Sequence, residues 1–209
     1  MKQNREGLLL VLSGPSGVGK GTICQALLNR NPNMHISISA TTRAMRTGEV
    51  EGVHYFFKTQ EEFEQMIRED AFLEYMQVFG MNYYGTPKQY VQDECQRGYD
   101  VVLEIDVQGA LRVKQVCPDA VLVFIAPPSM EELKSRLIGR GTETDEAIEK
   151  RFATASEELK NMPRYDYIVM NDILEQAVDK VERIVSAEKC RSARNQTLIA
   201  KLLGGDETI

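Results

Sequence analysis

Gly14-Pro15-Ser16-Gly17-Val18-Gly19-Lys20 is the stretch of this 209-residue chain that decides its fold. It has the G-x-x-x-x-G-K spacing of a phosphate-binding loop, a motif that requires a strand before it and a helix after it. Both are expected here, because residues 8–12 form a continuous apolar run and helical spacing begins at Lys20. Glycines let such a backbone wrap around a phosphate, and the N-terminus of the next helix favours negative charge. The sequence therefore predicts a binding loop for the phosphates of a nucleoside triphosphate, with Lys20 near the β- and γ-phosphates.

The residue after Lys20 departs from the commonest form of this loop. Many phosphate-binding loops have Ser or Thr there, and its hydroxyl binds Mg²⁺. Here the position is Gly21, and the hydroxyl comes one residue later, at Thr22. Mg²⁺ gives up its water reluctantly, so phosphate oxygens and water can supply most of its ligands. We therefore include Gly21 and Thr22 in the predicted loop, predict Mg²⁺ with the triphosphate, and assign the ion no direct side-chain ligand.

Strands and helices alternate along most of the chain. The runs that predict strands of a main sheet are residues 8–12, 35–39, 101–105, 121–126 and 167–170. Such alternation implies a mostly parallel sheet with right-handed crossovers, that is, a three-layer α/β fold. Residues 37–90 break the pattern as a small α+β insertion, in which Thr59 and Glu62 form a capping box. A helix is expected near the end of the insertion, with Thr86 as its cap and Pro87 as its first residue.

Composition and charge exclude several classes of function. The formal net charge is −6 and the pI is about 5.1, whereas a general nucleic-acid binder needs a basic face. The 4 cysteines are scattered and only 2 histidines are present, which argues against a zinc site or a disulfide framework. No apolar stretch reaches the length of a membrane span or a signal-peptide core. We therefore expect a cytoplasmic protein that binds neither nucleic acid nor membranes.

A polar loop after the second predicted strand carries two arginines three residues apart, Arg43 and Arg46. The planar fork of arginine pairs with two oxygens of a phosphate group, so this loop predicts a second phosphate site. Tyr55 and Tyr84 supply phenolic hydroxyls that could donate hydrogen bonds to the same phosphate. A second phosphate site near a triphosphate loop would be the acceptor site of a kinase.

Five motifs, in order along the chain, resemble those of the guanylate kinase family. They are Gly-Pro-Ser-Gly-x-Gly-Lys from Gly14, Thr-Thr-Arg-x-x-Arg-x-Gly-Glu-x-x-Gly-x-x-Tyr up to Tyr55, Asn-Tyr-Tyr-Gly-Thr up to Thr86, Glu-Ile-Asp-x-Gln-Gly from Glu104, and Arg-Gly-Thr-Glu-Thr from Arg140. The second motif is the most specific, and the resemblance extends over residues 8–188. It implies transfer of a phosphoryl group from ATP to GMP, giving ADP and GDP.

The resemblance also implies one domain with three parts and a polar tail. The core would be residues 7–36, 91–126 and 156–190, the GMP-binding subdomain 37–90, the helical lid 127–155 and the tail 191–209. In the lid, Arg140 and Arg151 would close on ATP. Arg136 is either an ATP contact or a solvated helix charge. Asn171, after the last strand, would contact the adenine.

Two sets of GMP contacts follow from the same motifs. Those to the phosphate would be Arg43, Arg46, Tyr55 and Tyr84. Those to the base would be Ser39, Glu74, Thr86 and Glu104. The chemistry of guanine supports Glu74, because the N1–H and the 2-amino group are adjacent donors that one carboxylate accepts together. Asp106 would either orient Lys20 or hold water around Mg²⁺, and its role is not separated from that of Glu104.

The predicted reaction needs no covalent intermediate, because the acceptor phosphate is already anionic. Catalysis would consist of positioning and charge neutralisation. The residues predicted to carry it are Lys20, Arg43, Arg140 and Arg151.

Two other functions fit parts of the pattern. Guanylate-kinase-like domains also occur in scaffold proteins that bind peptides without catalysis, although this chain retains the loop lysine and the arginines. A kinase for another nucleoside monophosphate would share the phosphate sites and differ at Glu74 and Thr86. The predicted partners are ATP and GMP, and the sequence is compatible with a monomer or a homo-oligomer.

Overall fold

The computed structural model describes residues 6–78, 80–138 and 145–204. The strands in these ranges are β1 (Leu9–Ser13), β2 (Met34–Ile36), β3 (Ala40–Thr41), β4 (Phe56–Phe57), β5 (Phe72–Val78), β6 (Asn82–Pro87), β7 (Asp100–Glu104), β8 (Val121–Ala126) and β9 (Tyr167–Met170). The helices are α1 (Lys20–Arg30), α2 (Gln60–Arg68), α3 (Lys88–Gln96), α4 (Val107–Val116), α5 (Met130–Ile138), α6 (Asp145–Leu159), α7 (Leu174–Lys189) and α8 (Gln196–Leu202).

The larger sheet has five parallel strands in the order β2-β7-β1-β8-β9. Strands β1 and β8 lie inside it and are buried along their whole length, which explains their mostly apolar sequences LLVLS and VLVFIA. The register aligns Leu12 of β1 with Glu104 of β7 and Val123 of β8. The carboxyl ends of these strands therefore meet at one edge of the sheet.

Helices cover both faces of this sheet. Side chains of β1 alternate between the faces, so that Leu10 and Leu12 pack into a core with α1 and α7, and Leu9 and Val11 pack into a core with α3 and α4. Helices α5 and α6 extend the first of these cores. The arrangement is helix, sheet and helix, so the predicted three-layer α/β fold with a mostly parallel sheet is confirmed.

A smaller sheet of four strands is built from residues 40–87, in the order β4-β3-β6-β5. Strand β6 is antiparallel to both of its neighbours, whereas β3 and β4 are parallel. Phe63 of α2 stacks against Phe72 and Tyr83, with ring centroids 4.4 and 5.2 Å away. The predicted capping box of α2 is confirmed, because Thr59 and Glu62 each accept a hydrogen bond from the other's backbone N–H.

The helix expected to begin after Thr86 begins later than predicted. Strand β6 continues through Pro87, and α3 starts at Lys88 with Pro87 in the cap position. The prediction that Thr86 caps this helix is wrong, because its hydroxyl is used elsewhere. It donates a hydrogen bond of 2.7 Å to Oε1 of Glu74 on the neighbouring strand.

The strand expected at residues 35–39 is shorter in the structure. It covers Met34–Ile36, and its last contact with the main sheet is the bond from the Ser37 N–H to the Val102 carbonyl oxygen, 2.9 Å long. The chain then leaves this sheet and enters the smaller one at Ala40. The strand ends early because residues 37–39 cross between the two sheets.

Buried carboxylates fix the end of α7 to the main sheet. Asp100 accepts hydrogen bonds from the Leu8 backbone N–H, at 3.0 Å, and from Lys189. Glu188 accepts a bond of 2.7 Å from the hydroxyl of Tyr167 on β9. Charged groups at the end of a helix thus close one side of the core.

The predicted polar tail contains ordered elements where the structure describes it. A 3₁₀ turn, Ser192–Arg194, follows α7 and leads into the largely exposed helix α8, and another, Met162–Arg164, precedes β9. None of the helices in the described parts of the chain is both long and apolar enough to cross a membrane.

Candidate active site

The candidate site lies at the carboxyl edge of the main sheet, where the connections that follow β1, β7 and β9 meet. The connection after β1 is the phosphate loop, which leads into α1. Glu104 ends β7, Asp106 caps α4, and Asn171 follows β9. Open α/β sheets bind ligands at this edge because the loops to the helices open there.

The phosphate loop needs glycine at two positions for steric reasons. Gly14 has φ 141°, and a Cβ there would lie 2.3 Å from the Ile125 carbonyl oxygen. Gly19 has φ 88°, and a Cβ there would lie 2.6 Å from Nδ2 of Asn171. Residues with a side chain rarely adopt such φ values. The spacing of these glycines is therefore imposed by the close packing of the loop against β8 and Asn171.

Lys20 opens helix α1, and its ammonium group lies over the loop that precedes it. Nζ donates hydrogen bonds to the carbonyl oxygens of Gly14, at 2.6 Å, and Pro15, at 3.0 Å. The first-turn N–H groups of α1 carry the positive end of the helix dipole. The ammonium and the helix terminus together favour a polyphosphate, as the motif predicts.

Asn171 was predicted to contact the adenine, and Arg136 either to contact ATP or to be a solvated helix charge. Both side chains bond to the backbone around the loop. The Asn171 side chain donates a bond of 2.8 Å to the Val18 carbonyl oxygen, and the residue is 7% exposed. Arg136 of α5 donates to the Asn171 carbonyl oxygen at 3.2 Å and pairs with Glu132 at 2.9 Å. The adenine contact of Asn171 and the ATP contact of Arg136 stay predictions.

Helix α6 presents two charged side chains to the phosphate loop. Nη2 of Arg151 donates a bond of 2.6 Å to Oγ of Ser16. Glu158 lies two helical turns further on, on the same face. Burial raises the pKa of Glu158, and Asp106 adds to this effect, while the Lys20 ammonium and the Ser16 backbone N–H favour the ionised carboxylate. Arg151 therefore interacts with the loop through Ser16. Glu158 interacts with it through the Ser16 backbone N–H and with Lys20 through the charge of the ammonium group.

Glu104 lies beside the first turn of α1, where the loop motif departs from its common form. A Cβ on Gly21 would lie 3.4 Å from both carboxylate oxygens of Glu104, so a larger residue would crowd that carboxylate. Thr22 is exposed on the same helix. Asp106 accepts a bond of 2.8 Å from the Gly109 backbone N–H. Within residues 6–78, 80–138 and 145–204, no three His, Cys, Asp or Glu side chains group closely enough to hold a metal ion by themselves.

The predicted second phosphate site is assembled around Arg43, on the loop after β3. The guanidinium carbon lies 5.4 Å from the centre of the Tyr55 ring, and the Tyr55 and Tyr84 rings are 6.1 Å apart. Arg43 also forms an ion pair with Glu49, with Nη2 and Oε1 2.7 Å apart. The structure therefore brings Arg43, Tyr55 and Tyr84 together and adds a carboxylate to them.

Arg46 and Ser39, the remaining predicted contacts of this region, lie on its borders. Arg46 is exposed, and its backbone N–H donates a bond of 2.7 Å to Oε2 of Glu49. Ser39 is half-buried just before β3, and its carbonyl oxygen accepts a bond of 2.9 Å from the Phe56 N–H. Both residues stay predicted GMP contacts.

Glu74 of β5 and Thr86 of β6 form a buried polar pair. They lie opposite each other, are 9% and 1% exposed, and are joined by the bond from the Thr86 hydroxyl to Oε1. A Cβ on Gly109 would lie 3.4 Å from Oε2, so the first turn of α4 approaches the other oxygen. Burial raises the pKa of Glu74, the Thr86 bond lowers it, Asp106 raises it and Arg112 lowers it. The net effect is that the pKa of this buried carboxyl group lies above its usual value.

Arg140, predicted as a lid and catalytic residue, lies outside the described residues, and its role stays a prediction.

No role was predicted from the sequence for two residues of the site, Glu49 and Glu158. Glu49 belongs to the most specific motif, so its position there was the available signal. Glu158 follows Arg151 by seven residues, a spacing that places both side chains on one helix face.

Several known proteins are similar to this chain over nearly its whole length. The sequence model of the guanylate kinase family matches residues 6–188. A guanylate kinase of Caldanaerobacter subterraneus subsp. tengcongensis is 54% identical over 202 residues, which cover 97% of this chain and 98% of the relative. A guanylate kinase of Clostridioides difficile is 51% identical over 195 residues, which cover 93% of this chain and 95% of the relative.

A solved structure agrees with these sequence relatives. The crystal structure of guanylate kinase from Anaplasma phagocytophilum has a TM-score of 0.71 and 33% identity, and the match covers 98% of this chain and 99% of that one. The family match covers residues 6–188, and the two sequence relatives and the solved structure each match 93% or more of the chain. This chain therefore belongs to the guanylate kinase family.

Proposed function

We propose that this protein transfers the γ-phosphoryl group of ATP to GMP, producing ADP and GDP. The observation that carries the proposal is the buried pair of Glu74 and Thr86, on the same small sheet as the cluster of Arg43 with its two tyrosines. A base site and a phosphate site on one sheet suit a nucleoside monophosphate. The phosphate loop supplies the separate site for the triphosphate donor.

Recognition of guanine would depend on the ionised carboxylate of Glu74. Guanine offers its N1–H and 2-amino group side by side, and one carboxylate accepts both. Adenine has an acceptor at N1 and would leave the buried carboxylate unpaired, which supports strong discrimination. Thr86 fixes the carboxylate through Oε1. Ser39 and Glu104 are the further base contacts in this proposal.

The phosphate of GMP would lie between the arginines and the tyrosines of the second site. Arg43 and Arg46 would neutralise its charge, and the hydroxyls of Tyr55 and Tyr84 would donate hydrogen bonds to it. The phosphate oxygen is already anionic at neutral pH, so no general base is needed. The work of this site is to hold the acceptor oxygen in line with the γ-phosphate.

The donor site would stabilise the charge of the phosphoryl group in transfer. Lys20 reaches the β- and γ-phosphates from the start of α1, and Arg151 is already in contact with the loop through Ser16. Arg140 is proposed to join them from the lid. Closure of the lid would exclude water, which would otherwise accept the phosphoryl group.

Mg²⁺ is proposed to accompany ATP in this site. The residues present fit a hydrated ion, because Gly21 leaves space beside the carboxylate of Glu104 and Asp106 lies at the same edge of the sheet. The Asp106 carboxylate would hold its water ligands, in keeping with the reluctance of Mg²⁺ to dehydrate. When bound, the ion would supply positive charge to the β- and γ-phosphates.

A coupled assay with ATP and each of GMP, AMP, UMP and dTMP tests the proposal. We expect turnover with GMP and little with the other three acceptors. Preference for another monophosphate would reassign the substrate, and no turnover with any of them would favour the scaffold function. The partners that we propose are ATP and GMP. The location that we propose is the cytoplasm.

The variant Glu74→Gln tests the base contact itself. An amide keeps the size of the side chain but cannot accept both guanine donors, so kcat/KM for GMP should fall about 10²-fold. Affinity for ATP should not change. Glu61→Gln on α2, an exposed position, is the matched control. Equal losses for GMP and ATP would contradict the assignment of Glu74 to the base.

A further inference from the structure

We propose that Glu49 is a positioning residue, which holds Arg43 and the backbone of Arg46 in the geometry that receives the phosphate of GMP. The inference rests on the proposed function of the arginine loop. In this role Glu49 does not contact the substrate. Its work is to orient the groups that make that contact, before the substrate arrives.

The first observation is a two-pronged ion pair between Glu49 and Arg43. Nη2 of Arg43 donates to Oε1 at 2.7 Å, and Nη1 donates to Oε2 at 3.1 Å. The side chains are only 13% and 17% exposed, Arg43 first. A bidentate pair fixes the plane of the guanidinium as well as its distance, and partial burial limits competition from water and salt.

The second observation is that the pair determines which edge of Arg43 is presented. Nη1 also donates to the carbonyl oxygen of Ala44 at 2.7 Å, and the guanidinium carbon lies 5.4 Å from the Tyr55 ring and 5.9 Å from the Phe57 ring. These bonds use both hydrogens of Nη1 and one hydrogen of Nη2. Arg43 also interacts with the side chain of Tyr84. Arginine has five N–H donors, so the Nε–H and the second Nη2 hydrogen form a fork that none of the three bonds to Glu49 and Ala44 uses. That fork suits two oxygens of a phosphate.

The third observation is that Glu49 also closes the loop that carries Arg46. The Arg46 backbone N–H donates to Oε2 of Glu49 at 2.7 Å, and the Glu49 backbone N–H donates to the Arg46 carbonyl oxygen at 3.1 Å. Two reciprocal bonds define the turn between these residues. One carboxylate therefore sets the side chain of the first arginine and the backbone of the second.

The charge of Glu49 is suited to this work. The hydrogen bond from Arg43 and the N–H of Arg46 hold the pKa of Glu49 below its usual value, so the carboxylate stays ionised at neutral pH. Two arginines without a counter-charge would repel each other in the empty loop. A site ordered in advance spends less conformational entropy when it binds its ligand.

The experiment compares Glu49→Gln with Glu51→Gln in the full-length protein. Gln keeps the shape of the side chain but loses the charge of the bidentate pair. Glu51 is the matched control, because it lies in the same loop and bonds to the Phe57 N–H rather than to an arginine. Calorimetric titration with GMP should show a dissociation constant raised about tenfold or more for Glu49→Gln. Its ATP affinity and melting temperature should match those of Glu51→Gln.

A double-mutant cycle tests whether Glu49 acts through Arg43. In the Arg43→Ala background, Glu49→Gln should weaken GMP binding by a clearly smaller factor than in the wild type. Equal factors in the two backgrounds would overturn the proposal. So would tighter GMP binding in Glu49→Gln, because it would show that the carboxylate competes with the phosphate for Arg43.

Failure of this inference is distinguishable from failure of the proposed function. If wild-type protein binds GMP and Arg43→Ala binds it more weakly, while Glu49→Gln binds it normally, the function stands and the positioning role is overturned. If wild-type protein binds no GMP, the proposed function itself is overturned. A parallel loss of ATP affinity and melting temperature in Glu49→Gln would show a general structural role and would also overturn the inference.

Discussion

The side-chain amide of Asn171 donates a hydrogen bond of 2.8 Å to the carbonyl oxygen of Val18, in the phosphate loop. The two residues are 153 positions apart, so this bond ties the end of β9 to the loop after β1. The same amide leaves no room for a Cβ on Gly19. The shape of the loop therefore depends on a side chain outside its motif.

We expect Asn171→Ala to weaken ATP binding without weakening GMP binding. The buried Val18 carbonyl would lose its partner, which costs about 1–3 kcal/mol of stability, and the loop would lose its lateral support. Urea denaturation and calorimetric titration measure the two effects. Asn29→Ala is the control, because Asn29 is exposed on α1 and bonds only to Gln25 among the described contacts. Unchanged ATP affinity in Asn171→Ala would show that the loop keeps its shape unaided.

We expect Lys20→Ala to lose most of its turnover and to remain folded. The ammonium is the charge that would follow the phosphoryl group in transfer, and loss of one such donor typically costs 10²-fold or more. Its bonds to Gly14 and Pro15 lie within the loop, so the core should be unaffected. Steady-state kinetics and circular dichroism make the measurement, with Lys180→Ala on the exposed side of α7 as control. Near-normal kcat would contradict the role of the loop lysine.

The features that the sequence predicted well are local ones. The strands β1 and β8 coincide with the apolar runs 8–12 and 121–126 to within one residue at each end, and the loop glycines follow a fixed spacing. The capping box of α2 involves Thr59 and Glu62, which are three residues apart. In each case the residues that determine the structure are neighbours in the chain, so one short window contains the whole signal.

The features that could not be predicted from the sequence depend on pairing between residues that are far apart in the chain. The bond between Thr86 and Glu74 exists because β5 and β6 pair in one register, and that register shifts between Phe72 and Glu74. No local sequence pattern predicts such a shift in register. This bond also explains the error at the start of α3, because a hydroxyl that serves Glu74 cannot cap a helix.

The acid side of the pH–rate profile is expected to report the ionisation of Glu74. Burial raises the pKa of its carboxyl above the usual 4.5, and only the ionised form accepts both guanine donors. The kcat/KM for GMP should therefore rise with pH through this raised pKa. Arg112 lowers the same pKa, so Arg112→Gln should move the acid limb to higher pH.

Comparing the pH–rate profiles of the wild type and Arg112→Gln provides its own control. Ionisation of the GMP phosphate is the same in both assays, so a difference between the profiles belongs to the protein. Arg112 also donates a bond of 2.7 Å to the Tyr75 carbonyl oxygen, and melting temperatures show whether its loss disturbs β5. Superimposable acid limbs would exclude an electrostatic effect of Arg112 on the base site.

Glu188 is expected to make the stability of the fold depend on pH. Burial alone would raise its pKa, but hydrogen bonds from Tyr167 and Arg191 outweigh this effect, and the pKa is lowered below 4.5. A carboxyl group with a lowered pKa in the folded state contributes stability above its unfolded-state pKa. That contribution is lost as the pH falls through the folded-state value.

We therefore expect Glu188→Gln to reduce the free energy of unfolding by about 1.5–3 kcal/mol at neutral pH, because the amide cannot replace a charged acceptor. The difference from the wild type should shrink as the pH falls below the ordinary carboxyl pKa of 4.5 and through the lowered pKa of folded Glu188. Urea denaturation across this pH range measures both quantities, and the exposed Glu175→Gln on the same helix should change stability by only about 0.5 kcal/mol. If the Glu188→Gln difference stayed constant across the range, packing rather than ionisation would account for the contribution of Glu188, since packing does not respond to a proton.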